Sequence, residues 1–238
     1  MKPIVLMPTY NEKAAIKSIL DQLGNINVLV IDDNSPDGTA SLVDSLISHF
    51  PAQLHLIKRE DKQGLGTAYL EGFRWGLEKD FDFIFEMDAD FSHPPKSLLN
   101  LYAACSVLGA DVAVGSRYCR GGHVVNWPWD RILMSYFASV YVRLITWMPV
   151  SDTTAGFVCY KRKVLETINL DKIKFVGYAF QIEMKFAAWK LGFRIKEVPI
   201  TFTDRVEGAS KMSKGIFKEA VIGVLKMWWN SFFHSYKK

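Results

Sequence analysis

The chain has 238 residues, of which 49% are hydrophobic and 23% charged, and this is enough apolar sequence to bury the core of one large domain. Its 29 Lys and Arg against 25 Asp and Glu give a net charge of +4, which is too balanced to indicate nucleic acid as a partner. Three cysteines, Cys105, Cys119 and Cys159, lack CxxC spacing, so the sequence indicates neither a disulfide framework nor a zinc site and favours a reducing compartment.

Short apolar runs alternate with helical patterns in the first part of the chain. Strands are predicted at residues 4–7, 28–31, 54–57 and 83–87, and helices at 14–23, 41–49 and 67–78. Further on we predict a strand at 111–115, a helix at 130–147, a possible strand in TTAGFVCYKR, a helix in YAFQIEMKFAAWKLG and a strand in RIKEVPITF. This β-α alternation predicts a largely parallel sheet in a three-layer α/β arrangement, whose ligand site lies at the carboxyl ends of the strands.

Two carboxylates, Asp88 and Asp90, follow an apolar run in FDFIFEMDADFSHPP, residues 81–95. If the strand continues that far, both side chains project from one side, about 6.5–7 Å apart along the strand. Hard oxygen ligands of this kind suit Mg²⁺ or Mn²⁺ bound together with substrate phosphates. A solvated turn is the alternative interpretation of this pattern when it stands alone.

The polar loops PTYNE, DDNSPDGT and DAD each follow an apolar strand, which predicts that they meet at one edge of the sheet. The expected cleft collects the carboxylates of Glu12, Asp32, Asp33, Asp88 and Asp90. A dinucleotide-binding fingerprint fails, because Tyr69 stands where a third small residue should follow Gly64 and Gly66, and no P-loop sequence is present.

Taken together, PTYNE, DDNSPDGT, QGLG, EMDADFSHPP, GSRY, TTAGF, FQIE and DRVEGASK resemble the motifs of the inverting family 2 glycosyltransferases of the GT-A fold. The nearest likeness is to the dolichyl- or polyprenyl-phosphate mannose synthases. The resemblance implies a Rossmann-like GT-A domain over residues 1–214, with a mostly parallel central sheet between helical layers, followed by a C-terminal amphipathic helix over residues 215–238.

The resemblance also implies a donor site that binds a nucleotide sugar and a divalent cation, Mg²⁺ or Mn²⁺. Asp88 and Asp90 would hold the metal and the donor diphosphate, and Ser92 stands where some relatives carry Gln. The predicted nucleotide-sugar-binding residues are Pro8, Tyr10, Glu12, Asp32, Asp33, Gly66, Asp88, Ala89 and Asp90.

The implied acceptor is a lipid monophosphate, whose second pKa near 6 makes it a largely dianionic nucleophile at neutral pH. A general base is then unnecessary, and we predict that His93 caps or packs at the helix start. Cations must still position the phosphate. The predicted acceptor-binding residues are Arg117, Arg131, Ser135, Arg205 and Lys211, and the predicted catalytic set is Asp88, Asp90, Arg117 and Arg131.

Contact with a membrane is expected from the tail, which mixes Ile, Val, Leu, Trp and Phe with Lys as an interfacial helix does. A last helix packed on the core is the alternative. The apolar region at residues 132–150 carries Arg143 near its middle and is predicted to be an amphipathic helix, and MKPIVLMPTYNE has too short an apolar run for a signal peptide. We expect a cytoplasmic protein peripherally associated with the cytoplasmic face of a membrane, with a possible membrane-anchoring protein partner.

The resulting functional hypothesis is inverting transfer of mannose from GDP-mannose to a polyprenyl phosphate, which gives a β-linked product. A polyprenyl-phosphate transferase that uses a UDP-sugar, carrying glucose or an aminosugar, is an alternative because related enzymes share this motif order. A catalytically silent module that binds nucleotide sugar or lipid phosphate is a second alternative, although the intact DAD sequence argues against it. A sugar nucleotidyltransferase is disfavoured, since the chain lacks a Gly-rich N-terminal loop with Arg and Lys for a triphosphate.

Overall fold

The helices and strands follow the predicted alternation closely in a computed structural model, which describes residues 1–50, 53–177, 179–204 and 214–238, with side chains from residue 221 in the last range. The strands in these ranges are β1 (Pro3–Thr9), β2 (Asn27–Asp32), β3 (Leu54–Lys58), β4 (Phe83–Glu86), β5 (Val112–Ser116), β6 (His123–Val125), β7 (Val158–Lys161), β8 (Ile195–Pro199) and β9 (Thr201–Thr203). The helices are α1 (Lys13–Leu23), α2 (Thr39–Leu46), α3 (Leu65–Glu78), α4 (Leu98–Ser106), α5 (Trp129–Thr146), α6 (Arg162–Thr167), α7 (Ala179–Lys190) and α8 (Lys214–Asn230).

Seven of these strands form one sheet in the order β3-β2-β1-β4-β7-β5-β8. The pairs β3-β2, β2-β1, β1-β4 and β5-β8 are parallel, whereas β7 runs antiparallel to both β4 and β5. In this register Glu86 of β4 and Val114 of β5 both lie opposite Val158, where β7 begins. The loop that leads into β7 therefore reaches the edge where the parallel strands end.

Helices cover both faces of the sheet, as the three-layer prediction requires. Alternation along β1 sends Ile4 and Leu6 into a cluster with α3, α6 and α7, and sends Val5 and Met7 into a second cluster with α1, α2 and α4. A third apolar cluster joins α5, α7 and α8 at one side of the sheet. Across the residues described, no helix combines the length and apolarity needed to cross a bilayer.

Two local predictions were wrong. β4 ends at Glu86, so strand alternation does not extend to Asp88 and Asp90, and a loop sets their positions instead. RIKEVPITF forms two strands rather than one, because the backbone N–H of Ile200 donates to Ser116 O while Ile200 O accepts from His123, and the chain passes there from the main sheet to the β6-β9 pair. The three-residue strand β6 and the six-residue helix α6 were not predicted, since each is too short for a period to be visible.

Candidate active site

The PTYNE and DDNSPDGT loops are tied together by the carboxylate of Asp32, at the end of β2. Its Oδ2 accepts hydrogen bonds from Thr9 Oγ1 (2.8 Å) and Ser35 Oγ (2.6 Å), and its Oδ1 accepts from Ser35 N (2.9 Å). Ser35 Oγ also accepts from Asn11 N at 3.0 Å. Asp32 is only 1% exposed, so it holds two loops at the cleft edge through internal hydrogen bonds.

Asp33 connects the end of β2 to the QGLG turn, the next loop along this edge. Its carboxylate pairs with Arg59 Nη1 at 2.5 Å and accepts from Gly64 N at 3.2 Å. Arg59 also donates to Thr67 Oγ1 at 2.7 Å, so this buried ion pair fastens the QGLG turn, residues 63–66, to the end of β2. The backbone N–H of Gly66 donates to Val176 O at 2.7 Å. Asp33 and Gly66 are thus both engaged inside the protein.

The remaining residues of PTYNE line this edge while half-buried. Pro8 pairs with Ile31 across β1 and β2, and the Tyr10 ring lies 3.7 Å below Lys62 Nζ in a cation-π contact. Glu12 occupies the N-cap position of α1, where its backbone N–H donates to Thr39 Oγ1 at 3.1 Å. The edge therefore carries an aromatic ring and a carboxylate, which are group types that can recognise a nucleotide.

The DAD loop, residues 87–93, presents the two carboxylates beyond β4. Asp90 Oδ1 accepts from Ser92 N (3.1 Å) and Ser92 Oγ (2.6 Å), while the Asp88 side chain is 39% exposed. The N–H of Asp88 donates to His93 Nδ1 at 2.9 Å, and His93 Nε2 lies 3.9 Å from Asp88 Oδ2. Ala89 is buried between the carboxylates. The conformation of the loop, rather than that of a strand, sets the positions of the Asp88 and Asp90 carboxylates.

The oxygen donors of this loop fit a hard divalent cation. Asp88, Asp90 and Ser92 offer carboxylate and hydroxyl oxygens, the ligand types that Mg²⁺ and Mn²⁺ take. No group of three or more His, Cys, Asp or Glu positioned to hold a metal occurs in the part of the chain that the structure describes. The donor set therefore suits an ion that completes its coordination with substrate phosphate and water rather than a closed protein cage.

Arg117, in GSRY after β5, is a fixed cation next to this loop. Its Nε and Nη2 donate to the two oxygens of Asp152 at 2.7 and 2.6 Å, and Nη2 also donates to Thr154 Oγ1 at 2.8 Å. Burial disfavours the charged form, but the Asp152 carboxylate outweighs burial and Asp88 adds to its effect, so the pKa of Arg117 is raised. Arg117 consequently stays charged in a set orientation, as the loop that enters β7 brings Asp152 to it.

Arg131 joins Arg117 around the indole of Trp127. The guanidinium carbon of Arg131 lies 4.0 Å from the indole centroid and that of Arg117 lies 5.4 Å from it. Arg131 Nη1 also donates to both oxygens of Asp204 at 3.0 and 2.9 Å. The two predicted acceptor cations are thus brought together, and Ser135 lies one turn beyond Arg131 on α5, half-buried.

An aromatic contact connects these cations to the DAD loop. The Phe202 ring lies 5.2 Å from Trp127 and 5.8 Å from His93, in edge-to-face arrangements, and His93 stacks on Phe157 at 5.0 Å. Phe202 therefore connects the DAD loop, through His93, to the two arginines around Trp127. The predicted residues Arg205 and Lys211 lie outside the described residues.

Sequence reasoning missed the partners of the two arginines. Asp152 immediately precedes TTAGF, Asp204 immediately precedes Arg205, and Trp127 lies in a Trp-containing link before α5. The signal that could have drawn attention to them was position: Asp204 is the first residue of the DRVEGASK motif, Asp152 adjoins TTAGF, and Trp127 lies just before α5. Nothing in the sequence pairs Asp152 with Arg117, since the contact depends on the reversed direction of β7.

A second pair of ionisable groups is buried behind the site. Lys185 of α7 is fully buried and its Nζ donates to Ala155 O, in TTAGF, at 2.6 Å. Burial lowers the pKa of Lys185 to about 8, opposed by the negative charge of Glu86. Burial likewise raises the pKa of Glu86, at the end of β4, to about 8. Through its hydrogen bond to Ala155 O, Lys185 supports the loop that carries Asp152 and Thr154, the partners of Arg117.

The sequence model of glycosyl transferase family 2 matches residues 4–168, and the chain belongs to this family. It is a glycosyltransferase, and the family resemblance inferred from its motifs is confirmed. The chain is 44% identical over 227 residues to polyprenol monophosphomannose synthase of Mycolicibacterium smegmatis, covering 94% of this chain and 85% of the relative. It is also 44% identical over 230 residues to undecaprenyl-phosphate mannosyltransferase of Micrococcus luteus, covering 95% and 93%.

Solved structures share the GT-A-like fold at low identity. Glucosyl-3-phosphoglycerate synthase from Mycobacterium tuberculosis matches with a TM-score of 0.66 and 16% identity, over 96% of this chain and 79% of that one. That synthase has also been crystallised with Mn²⁺, UDP and glucosyl-3-phosphoglycerate. S. aureus TarS 1-349 in complex with UDP matches with a TM-score of 0.59 and 18% identity, over 98% and 72%. The predicted fold class is therefore confirmed.

Proposed function

We propose that this glycosyltransferase transfers mannose from GDP-mannose to a polyprenyl monophosphate, with inversion at the anomeric carbon. The observation that carries the proposal is the 44% identity, over nearly the whole chain, to two relatives named for mannose transfer to polyprenyl phosphates. The cleft supports it, because oxygen ligands for a cation at the DAD loop border the arginines that flank Trp127.

The chemistry requires a bond from a phosphate oxygen of the acceptor to the sugar's anomeric carbon, while the bond from that carbon to the nucleoside diphosphate breaks. A divalent cation held by Asp88 and Asp90 supplies positive charge to the departing diphosphate when it is bound. Arg117 and Arg131 orient the acceptor phosphate by charge-assisted hydrogen bonds. The phosphate dianion is itself the nucleophile, so His93 has no proton to remove and instead holds the backbone N–H of Asp88.

Incubation with radiolabelled GDP-mannose, a polyprenyl phosphate and Mg²⁺ or Mn²⁺, followed by extraction into organic solvent, tests the proposal. Labelled lipid is the expected result. Label transferred from UDP-glucose or a UDP-aminosugar instead of GDP-mannose would contradict the donor assignment, as would selective stabilisation of the fold by UDP over GDP. Absence of labelled lipid with every donor and metal would support the silent binding module.

Peripheral contact with a membrane is part of the proposal, and it is supported by two neighbouring helices. Tyr141 on α5 donates to Val221 O of α8 at 2.9 Å, and the described residues of these helices and the turn after α8 expose large apolar side chains. These are Trp129, Leu133, Met134, Phe137 and Leu144 of α5, and Ile222, Leu225, Trp229, Phe232 and Phe233 in and after α8.

Flotation with phospholipid vesicles tests the membrane contact. Trp229→Ser combined with Phe233→Ser should reduce vesicle binding severalfold, because two aromatic side chains no longer enter the interface. The matched control, Val107→Ser with Leu108→Ser, changes two exposed apolar residues beside α4 and should leave binding unchanged. Equal binding by all three proteins would contradict this surface.

A further inference from the structure

The carboxylate of Glu183, in the FQIE motif, has no part in the chemistry proposed above, yet it is buried and fully engaged. Its Oε2 accepts from the backbone N–H groups of Lys174 and Phe175 at 2.8 and 2.9 Å. Its Oε1 accepts from the hydroxyl of Tyr236 at 3.2 Å. One side chain on α7 thus connects residues 174–176 with the end of the chain.

The last four residues, 235–238, are fastened to the body of the protein by several contacts. Asn169 N donates to Tyr236 O at 2.8 Å, Lys238 N donates to Thr167 O at 2.9 Å, and Lys172 Nζ donates to Ser235 O at 2.9 Å. Ile168 and Lys237 form an antiparallel bridge, and the Tyr236 ring contacts Phe186 edge to face at 6.1 Å. We call residues 235–238 the C-terminal strap.

Residues 174–176 also contact the QGLG turn, through Phe175 and Val176. Val176 O accepts from Gly66 N at 2.7 Å. A Cβ on Gly64 would lie 2.6 Å from Val176 Cγ1, and one on Gly66 would lie 2.7 Å from Phe175 O. Gly64 has φ +98°, and its N–H donates to Asp33 at the end of β2. Contact this close transmits any displacement of residues 175–176 to the turn.

The helix α8 also touches this segment. A Cβ on Gly223 would lie 2.6 Å from Cε1 of the Phe175 ring, so the helix packs directly on the residue that Glu183 holds. The C-terminal region therefore reaches residues 174–176 twice, through Tyr236 and through α8.

We propose that the C-terminal strap positions the donor side of the cleft, with Glu183 and Tyr236 as positioning residues that keep the QGLG turn in its nucleotide-binding arrangement. This inference rests on the proposed function and on the predicted role of the QGLG turn, through Gly66, in binding the nucleotide sugar. When the strap is loosened, a smaller fraction of molecules holds the QGLG turn in place. The apparent affinity for the nucleotide sugar is proportional to that fraction, so it falls as the fraction falls. The acceptor phosphate, bound through Arg117 and Arg131, is unaffected by this loss.

Tyr236→Phe tests the role of the strap, because it removes one hydroxyl and keeps the ring against Phe186. The donor KM and the Kd for GDP should both rise roughly three- to tenfold, as expected for the loss of one hydrogen bond to a carboxylate. Amide hydrogen exchange in a peptide that contains Gly66 should accelerate, while the acceptor KM stays within about twofold. Ser106→Ala is the control, since it removes one hydroxyl and its hydrogen bond to Tyr102 O on α4, and Ser106 belongs to neither the strap nor α8.

The proposal is overturned if Tyr236→Phe changes the Kd for GDP by less than about twofold, or if Ser106→Ala weakens GDP binding equally. Faster exchange at Gly66 without weaker GDP binding also overturns it, since the turn would then not govern donor affinity. The proposed function is judged separately by label transfer in the wild-type protein. If the wild type binds UDP in place of GDP, the same comparison is made with UDP.

Discussion

Single side chains determine how the DAD carboxylates are held, and His93 illustrates this. Its Nδ1 accepts the N–H of Asp88, its ring stacks on Phe157, and it is 3% exposed. These contacts fix the DAD loop. His93 also lacks the solvent access expected of a general base, which must release its proton after each catalytic cycle. His93 was predicted to cap or pack, and its contacts agree with that role.

His93→Asn should leave turnover within about tenfold of wild type, because the amide oxygen can replace Nδ1 as an acceptor for the Asp88 N–H. Loss of a true general base costs roughly 10²–10⁴ in rate. The acidic limb of the pH–rate profile should remain near pH 6, where the acceptor phosphate ionises. A loss beyond 10²-fold, together with loss of that limb while donor and metal still bind, would place His93 among the catalytic residues.

Asp90→Asn is expected to lower transfer by on the order of 10²–10³ while the fold is retained, since it removes a charge at the diphosphate. The asparagine oxygen can still accept from Ser92 N and Oγ, so the loop keeps its hydrogen bonds. Transfer rates and thermal melting are measured together. Asp21→Asn, at the exposed Lys17 pair on α1, serves as the control, and Asp90→Asn activity within threefold of wild type would contradict the metal role.

Three secondary-structure elements bring together the cations proposed to bind the acceptor, and α5 contributes the most residues. It starts at Trp129, directly after the link that carries Trp127, and its first turns hold Arg131 and Ser135. Arg117 arrives from the end of β5, and Asp152 arrives from the loop before β7. The proposed acceptor site is thus made from three separate elements.

Arg131→Ala should raise the acceptor KM at least tenfold and change the donor KM by less than twofold, because this cation contacts Asp204 and Trp127 rather than the donor loops. Arg143→Ala, at the exposed end of the same helix, is the control. Steady-state kinetics with each substrate varied in turn gives both constants. Equal weakening of donor and acceptor by Arg131→Ala would assign Arg131 to the diphosphate or to the framework.

The sequence predicted the strands and helices that are marked by a local pattern of apolar residues. Apolar runs such as residues 4–7 and 28–31 identified β1 and β2, and the spacing of Ile16, Ile19 and Leu23 identified α1. It could not reveal the strand direction of β7 or the Arg117–Asp152 pair, because both depend on contacts between distant segments. Asp32 and Asp33 were predicted at the correct edge, but their internal hydrogen bonds depend on Ser35 and Arg59, which no local pattern selects.

The interior as a whole contains ionisable as well as apolar side chains, and Lys185 is fully buried in it. Lys185→Met should lower the free energy of unfolding by about 1–3 kcal/mol, because it leaves the buried carbonyl of Ala155 without its hydrogen-bond donor. Adding Glu86→Leu should recover part of that loss, since the second ionisable group is then removed as well. Urea unfolding of the single and double variants measures both effects; a double variant less stable than Lys185→Met would contradict the electrostatic coupling of Glu86 to Lys185.

The contribution of Lys185 to the free energy of unfolding should change with pH in a definite direction. The unfolded chain keeps the Lys185 proton up to its ordinary pKa of 10.5, whereas the folded protein releases it near pH 8. Between these values the unfolded state binds more protons, so the Lys185 contribution to the free energy of unfolding rises with pH. The stability difference between wild type and Lys185→Met should therefore widen from about pH 8 to 10.5, and a constant difference would contradict the lowered pKa.

The reversed strand β7 has a consequence during synthesis of the chain on the ribosome. β4 pairs with β7, whose residues emerge about 70 positions after Glu86. At typical rates of 5–20 residues per second, the apolar edge of β4 waits roughly 4–14 s for its partner. An apolar strand edge in this state can pair with another chain. Nascent chains that stop before residue 158 should thus need a chaperone that full-length chains no longer engage.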